Sequence, residues 1–155
     1  MVKKRVKKLE YRKGVFFVVY KKTKDKIEYL ILHRKLHWKG WEFPKAGIKT
    51  WERINKKVAV LRELKEEAGG CKPVKVIDMK TKGKYKYDHK MADRPWIGQT
   101  YSLFAVEVID CKRIKFDKKE HSGYRWLGFD DAYEMLTWPN QKKCLKIVHK
   151  RIKTK

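Results

Sequence analysis

The sequence predicts an α/β protein of the α+β kind, in which a mixed β-sheet is held between helices as an α/β/α sandwich. Three observations carry this expectation. Short apolar, β-branched runs alternate with amphipathic segments of helical period, in the order β-β-α-β-β-α. The chain has 155 residues, enough for one domain with a proper core and too few for two. No internal repeat or linker-like stretch divides it, so residues 1–12 read as a basic arm and residues 13–155 as a single domain.

The elements follow in order. Gly14–Tyr20 (GVFFVVY) is a continuous β-branched and aromatic run, the pattern of a strand buried on both faces. After the KKTKDK turn, Ile27–Arg34 (IEYLILHR) predicts a second strand, pairing with the first as a hairpin. Leu36–Glu42 (LHWKGWE) reads as a loop crowded with aromatics, which suit packing as well as binding. From Ile54 to Ala68 the residues Val58, Leu61, Leu64 and Ala68 fall three or four apart, predicting an amphipathic helix with these on its core side and Gly69-Gly70 at its end. Lys75–Tyr87 predicts one or two strands broken near Lys82-Gly83, with Tyr85 and Tyr87 on one face. Asp88–Gly98 reads as a loop, and Gln99–Val108 (QTYSLFAVEV) as the next strand. A helix from Asp130 to Leu136 is interrupted at Trp138-Pro139, and Gln141–Ile152 closes the pattern as an amphipathic helix with Leu145, Val148 and Ile152 facing the core.

Charge narrows the partners without touching the fold. Lysine and arginine number 42 against 18 aspartates and glutamates, a formal net charge of +24. Such an excess suits polyanions, whether a nucleotide polyphosphate, RNA or an anionic surface, and a solubilising lysine-rich exterior also accounts for it. Cys71, Cys111 and Cys144 show no metal-ligand or redox spacing, so three reduced thiols in a reducing compartment are expected. The basic start MVKKRVKKLEYRK has no apolar stretch of leader or membrane-span length. A cytoplasmic protein with no membrane partner, monomer or homodimer, is the expectation.

The chemistry concentrates on the first helix. Glu63 and Glu67 are four apart and Glu63 and Glu66 three apart, so three carboxylates converge on one side. Like charges that close repel, and the arrangement suits a hard divalent cation such as Mg2+ or Mn2+; the competing reading is a solvated acidic turn.

Arg62-Glu63-Leu64-Lys65-Glu66-Glu67-Ala68-Gly69 resembles the second half of the Nudix box, in which Arg-Glu-hydrophobic-x-Glu-Glu-x-Gly follows a Gly and a Glu at fixed spacings. The first half departs from that pattern. Ala46 stands where the family has Gly, with Gly47 beside it, and Glu52 is ten residues before Arg62 where the family has eight. A two-residue insertion around Arg53–Lys57 reconciles them, leaving open what Glu52 does and which carbonyl near Gly47 faces the metal. The resemblance implies metal-assisted hydrolysis of a nucleoside diphosphate linked to another group, by water attack on phosphorus. It implies metal binding by Glu63, Glu67 and the carbonyl of Gly47, with Glu66 a ligand or part of the water-activating set. Arg62 would orient these carboxylates through its planar fork, or simply pair with Glu66 on the surface.

Glu120-His121-x-x-Tyr124-Arg125-Trp126-Leu127-Gly128, with the Pro44-Lys45 step, is similar to the asymmetric diadenosine tetraphosphate hydrolases. That likeness implies a dinucleoside polyphosphate substrate, a metal or water-activating role for Glu120, and stacking of Tyr124 on adenine, with Tyr85 and Tyr87 as further stacking partners. Lys45, His33 and Arg34 are candidates for the phosphate chain. Trp41-x-Phe43-Pro44-x-x-Gly47-Ile48 also resembles the RNA pyrophosphohydrolases, which act on triphosphorylated RNA 5′ ends. Diphosphoinositol polyphosphate hydrolysis and a non-catalytic RNA-binding module are further alternatives.

Overall fold

The computed structural model describes residues 10–87 and 96–153. Among these residues seven strands form one mixed sheet: β1 (Glu10–Lys22), β2 (Ile27–Arg34), β3 (Gly40–Glu42), β4 (Lys45–Gly47), β5 (Lys72–Lys86), β6 (Trp96–Ile109) and β7 (His121–Leu127). Three helices accompany it: α1 (Lys56–Glu67), α2 (Phe129–Met135) and α3 (Pro139–Lys153). The main strand order is β3-β2-β1-β6-β5, with β4 paired to β1 and β7 to β2. β1 runs parallel to β6, with Val15 opposite Ser102 and Val19 opposite Val106, while its pairings with β2 and β4 are antiparallel.

Strand alternation divides the core in two. Phe16, Val18 and Tyr20 of β1 face α2 and α3, packing with Ile31, Leu103, Leu145 and Val148. Val15, Phe17 and Val19 face α1, packing with Leu30, Leu32, Val60 and Leu64. A strand covered by helices on both sides must be apolar at consecutive positions, which is why GVFFVVY is an unbroken run. The expected mixed sheet between helices is therefore the observed architecture.

Local differences have physical causes. The aromatic stretch read as a loop contains β3, and β4 follows Pro44; both are three residues long, too short to show a strand period. Trp96–Gly98, assigned to a loop, begins β6, and residues 88–95 of that expected loop lie outside the described residues, as do residues 1–9 of the basic arm. The core stripe of α1 is also corrected. Leu64 and Ala68 are buried as expected, but Val58 and Leu61 are about two-fifths exposed, and Ala59, Val60 and Glu67 take their place on the buried face. Val60, Leu64 and Ala68 mark this face at four-residue spacing, as Val58, Leu61, Leu64 and Ala68 also fit a stripe, and apolar pattern alone gave no way to place Glu67 on it.

The cysteine expectation fails as well. Cys71 and Cys111 form a disulfide, and only Cys144 is a free, buried thiol. Forty residues separate the two in sequence, but antiparallel pairing sets Lys72 against Ile109 and brings the neighbouring cysteines together. Next to this staple, two residues beyond the α1 cap at Ala68, Gly70 takes φ +112°, and an added Cβ there would lie 2.5 Å from the carbonyl oxygen of Arg113. Among the described residues no helix is long and apolar enough to cross a membrane.

Candidate active site

α1 is launched by Asn55, whose side-chain oxygen accepts the backbone N–H of Lys57 at 3.1 Å. The chain before it makes a short 3-10 turn, Thr50–Glu52, so the two-residue insertion is absorbed between that turn and the helix cap. Glu52 therefore still reaches Arg62. Arg62 Nε and Nη2 donate to the two Glu52 oxygens at 2.8 and 3.1 Å, a bidentate pair with a carboxylate that is 1% exposed. Nη2 also donates to the Gly47 carbonyl at 3.1 Å, and Nη1 to Glu63 Oε2 at 3.0 Å, with Glu66 Oε2 at 3.5 Å. One guanidinium thus ties the β4 end, the 3-10 turn and the acidic face of α1 together. The Arg62 hydrogen bond holds the Glu52 carboxyl below its usual range.

One turn further on, Glu67 points toward the sheet and meets His121 at the start of β7. His121 Nδ1 lies 2.9 Å from Glu67 Oε2 and Nε2 lies 2.9 Å from Glu42 Oε2 on β3, all three groups being buried. Burial by itself would push His121 down, but two charge-assisted hydrogen bonds outweigh it and raise the ring to about 9. The ring is therefore an imidazolium donating from both nitrogens. Burial would likewise push Glu42 up, yet Lys45 Nζ at 3.2 Å, His121 and Arg34 Nη1 at 3.3 Å together hold it down at about 2.

Glu120 immediately precedes β7. Its carbonyl accepts from the backbone N–H groups of Lys35 (2.9 Å) and Leu36 (3.3 Å), pinning this turn to the end of β2. Ligand atoms of Glu67, Glu120 and His121 all lie within 4.8 Å of one another. Burial first, then the charge of Glu67, raise the Glu120 carboxyl. Burial and the charges of Glu67 and Glu66 raise Glu63 to about 7 against the opposing pull of Arg62. Such a cluster is unfavourable by itself, and a hard cation relieves it. The donor set thus fits a divalent ion held by carboxylates, with His121 committed to its two glutamates rather than to the ion.

Arg62, Glu63, Glu66, Glu67 and Glu120 line one side of a cavity of about 860 Å³. Its other side is aromatic, with Phe16, Trp38, Tyr85, Tyr87, Trp96 and Trp138. Lys45 stands between the two, its Nζ 5.8 Å from the Trp38 ring centroid and 5.9 Å from that of Tyr85. Of the residues singled out from the sequence, Arg34, Lys45, Gly47, Arg62, Glu63, Glu66, Glu67, Tyr85, Tyr87 and Glu120 all line this cavity. Two do not join them. Tyr124 packs against Phe116 beside the α1 core, with ring centroids 6.2 Å apart, because its register opposite Leu32 turns it to that face. His33 sits against Trp41 at 4.7 Å and bonds Ser122 Oγ through Nδ1 at 2.7 Å. Glu42, Glu52 and His121 are the participants the sequence left unassigned. The signal for two of them was adjacency: Glu42 precedes Phe43-Pro44-Lys45, and His121 follows Glu120.

The profile of the NUDIX domain family matches residues 10–147. The chain belongs to the Nudix family. Its Nudix helix is α1, and as a family member it is an acid-anhydride hydrolase, a pyrophosphohydrolase of a class that generally uses divalent metal ions. A curated relative from a Nitratiruptor species, an RNA pyrophosphohydrolase, is 31% identical over 153 residues, covering 94% of this chain and 97% of the relative. Among solved structures, a C. elegans Ap4A hydrolase binary complex superposes with a TM-score of 0.73 at 19% identity, covering 93% of this chain and 99% of that one. The E. coli dihydroneopterin triphosphate pyrophosphohydrolase gives 0.70 at 18% identity, covering 88% and 94%. At such identities these neighbours establish the Nudix fold, not the substrate.

Proposed function

We propose that the protein hydrolyses the phosphoanhydride at a triphosphorylated RNA 5′ end. The observation that carries this reading is the cavity, which sets a cluster of carboxylates against a wall of aromatic rings with Lys45 and Arg34 between them. It suits a terminal nucleotide whose base stacks on rings while its phosphate chain crosses cationic side chains toward the cluster. The full-length likeness to an RNA pyrophosphohydrolase supports RNA over other nucleotides. A dinucleoside polyphosphate is the second reading, favoured by the number of aromatic rings lining the cavity: Tyr85 and Tyr87, an edge-to-face pair with centroids 5.9 Å apart, and Trp38, Trp96 and Trp138, enough for a second base.

Glu63, Glu66, Glu67 and Glu120 would hold the cation, Mg2+ or Mn2+. When bound it would supply positive charge over the phosphate oxygens. The remaining work falls to the chain. Arg62 fixes Glu63 and Glu66 from behind, and His121 with Glu42 fixes Glu67. Glu120 and Glu63, both lining the cavity beside Glu67, are the carboxylates placed to take the proton of the attacking water. Lys45 and Arg34, already charged against Glu42, meet the phosphate chain.

The test is a comparison of turnover with Mg2+ on triphosphorylated RNA, capped RNA, diadenosine tetraphosphate and an inositol pyrophosphate. Pyrophosphate release from the RNA with the highest kcat/KM is expected; preference for diadenosine tetraphosphate would install the second reading instead. Glu120→Gln should lower kcat far more than it raises KM.

A further inference from the structure

β5 is the outer strand of the main sheet path. Its residues Ile77, Met79 and Tyr85 face the α3 side and join the core there. Lys82, Lys84 and Lys86 therefore point to the α1 side, where all three are exposed. α1 stops short of this end of the sheet: its first residue, Lys56, donates to Ser102 Oγ at 2.8 Å, on the row shared by Val15, Ser102 and Lys82. The next rows are Lys13-Thr100-Lys84 and Tyr11-Gly98-Lys86. Tyr11, Lys13 and Lys86 also line the cavity, so the basic strip begins at its mouth.

We infer that an RNA chain whose 5′ end occupies the cavity leaves it along this strip, with Lys86, Lys84 and Lys82 each meeting a successive phosphate of the single strand. Alternate residues of a strand are about 6.8 Å apart, close to the step between phosphates of an extended single strand. Tyr11 offers a ring beside the ladder, with Lys84 Nζ 5.5 Å from its centroid, so a base stacks where the backbone is held. The ladder has a defined end. Beyond Lys82 the register with β6 shifts, Lys80 takes φ +53°, and Lys80 pairs with Asp78 at 3.5 Å. Glu10, at the cavity end, is a further exposed acid near the strip among the described residues. A single strand fits this surface better than a duplex, because one file of lysines continuing from the cavity follows one phosphate backbone.

The inference rests on the RNA reading, and the test separates the two. Steady-state hydrolysis is measured on a triphosphorylated dinucleotide and a triphosphorylated decamer, for the wild type, Lys82→Gln/Lys84→Gln, and a control of equal charge loss on α3, Lys143→Gln/Lys146→Gln. The ladder variant should raise KM for the decamer by about fivefold or more and leave the dinucleotide unchanged, since each lysine lost removes a phosphate contact. Binding of a fluorescent 5′-monophosphorylated decamer, read by anisotropy, gives a second measure that needs no turnover. Its dependence of log affinity on log salt should become shallower by roughly 1.4, about 0.7 per lysine. An equal effect from the α3 control, or an unchanged salt slope in the ladder variant, overturns the inference. Absence of RNA hydrolysis with the binding loss intact refutes the proposed reaction and leaves the ladder standing.

Discussion

His121→Asn tests the buried bridge that holds Glu67. The native ring is 3% exposed and donates at 2.9 Å to two carboxylates, one from β3 and one from α1. Its rise from 6.5 to about 9 amounts to about 3 kcal/mol of stabilisation, at roughly 1.4 kcal/mol per pH unit. Removing one member of a buried charged set costs about 3 to 5 kcal/mol by an independent route, so the two figures agree. The sign follows from linkage. A folded-state value above the unfolded one gives stability that is fully present below pH 6.5 and lost as pH rises through about 9. Urea unfolding of wild type and variant at about pH 6 should therefore differ by about 3 kcal/mol, and at about pH 10 by much less. A gap of the same size at both values would mean that the ring acts through packing alone, and the imidazolium bridge would be refuted.

Other outcomes follow from the same geometry. Glu63→Gln and Glu67→Gln should each lower kcat by at least about a hundredfold at saturating Mg2+, and near-native turnover in either would remove it from the ion's ligands. Without metal, the raised Glu63 should make stability fall by about 3 kcal/mol as pH rises from 4.5 to about 7, and added Mg2+ should restore it most at the upper end, as thermal unfolding scans would show. Arg62→Lys keeps the charge but loses the fork on Glu52, so kcat should drop by about tenfold or more while Glu52 is left buried and underbonded. Reducing the Cys71–Cys111 bridge, which closes a loop of 40 residues, should cost about 4 kcal/mol of stability, measurable as a lower urea midpoint in reductant.

Backbone period alone specified the sandwich and the acidic face of α1. GVFFVVY had to be a doubly covered strand, and RELKEEAG sets three carboxylates on one side of any helix it forms, because both patterns are local consequences of backbone period. Gly69-Gly70 likewise ended the helix where expected. The net charge spoke of polyanions but not of where they bind. What crosses between elements was decided only by the fold. Glu67 lies on the buried stripe of α1 because β7 delivers His121, which stands 54 residues from Glu67 and 79 from Glu42 along the chain, and no hydrophobic pattern assigns a glutamate to a core face without its partner. Glu52 keeps Arg62 across a two-residue insertion because the 3-10 turn and the Asn55 cap absorb it. Tyr124 turned away from the cavity because strand register opposite Leu32, not side-chain type, selects its face. Cys71 met Cys111 for the same reason: antiparallel pairing makes neighbours of residues that spacing alone cannot connect.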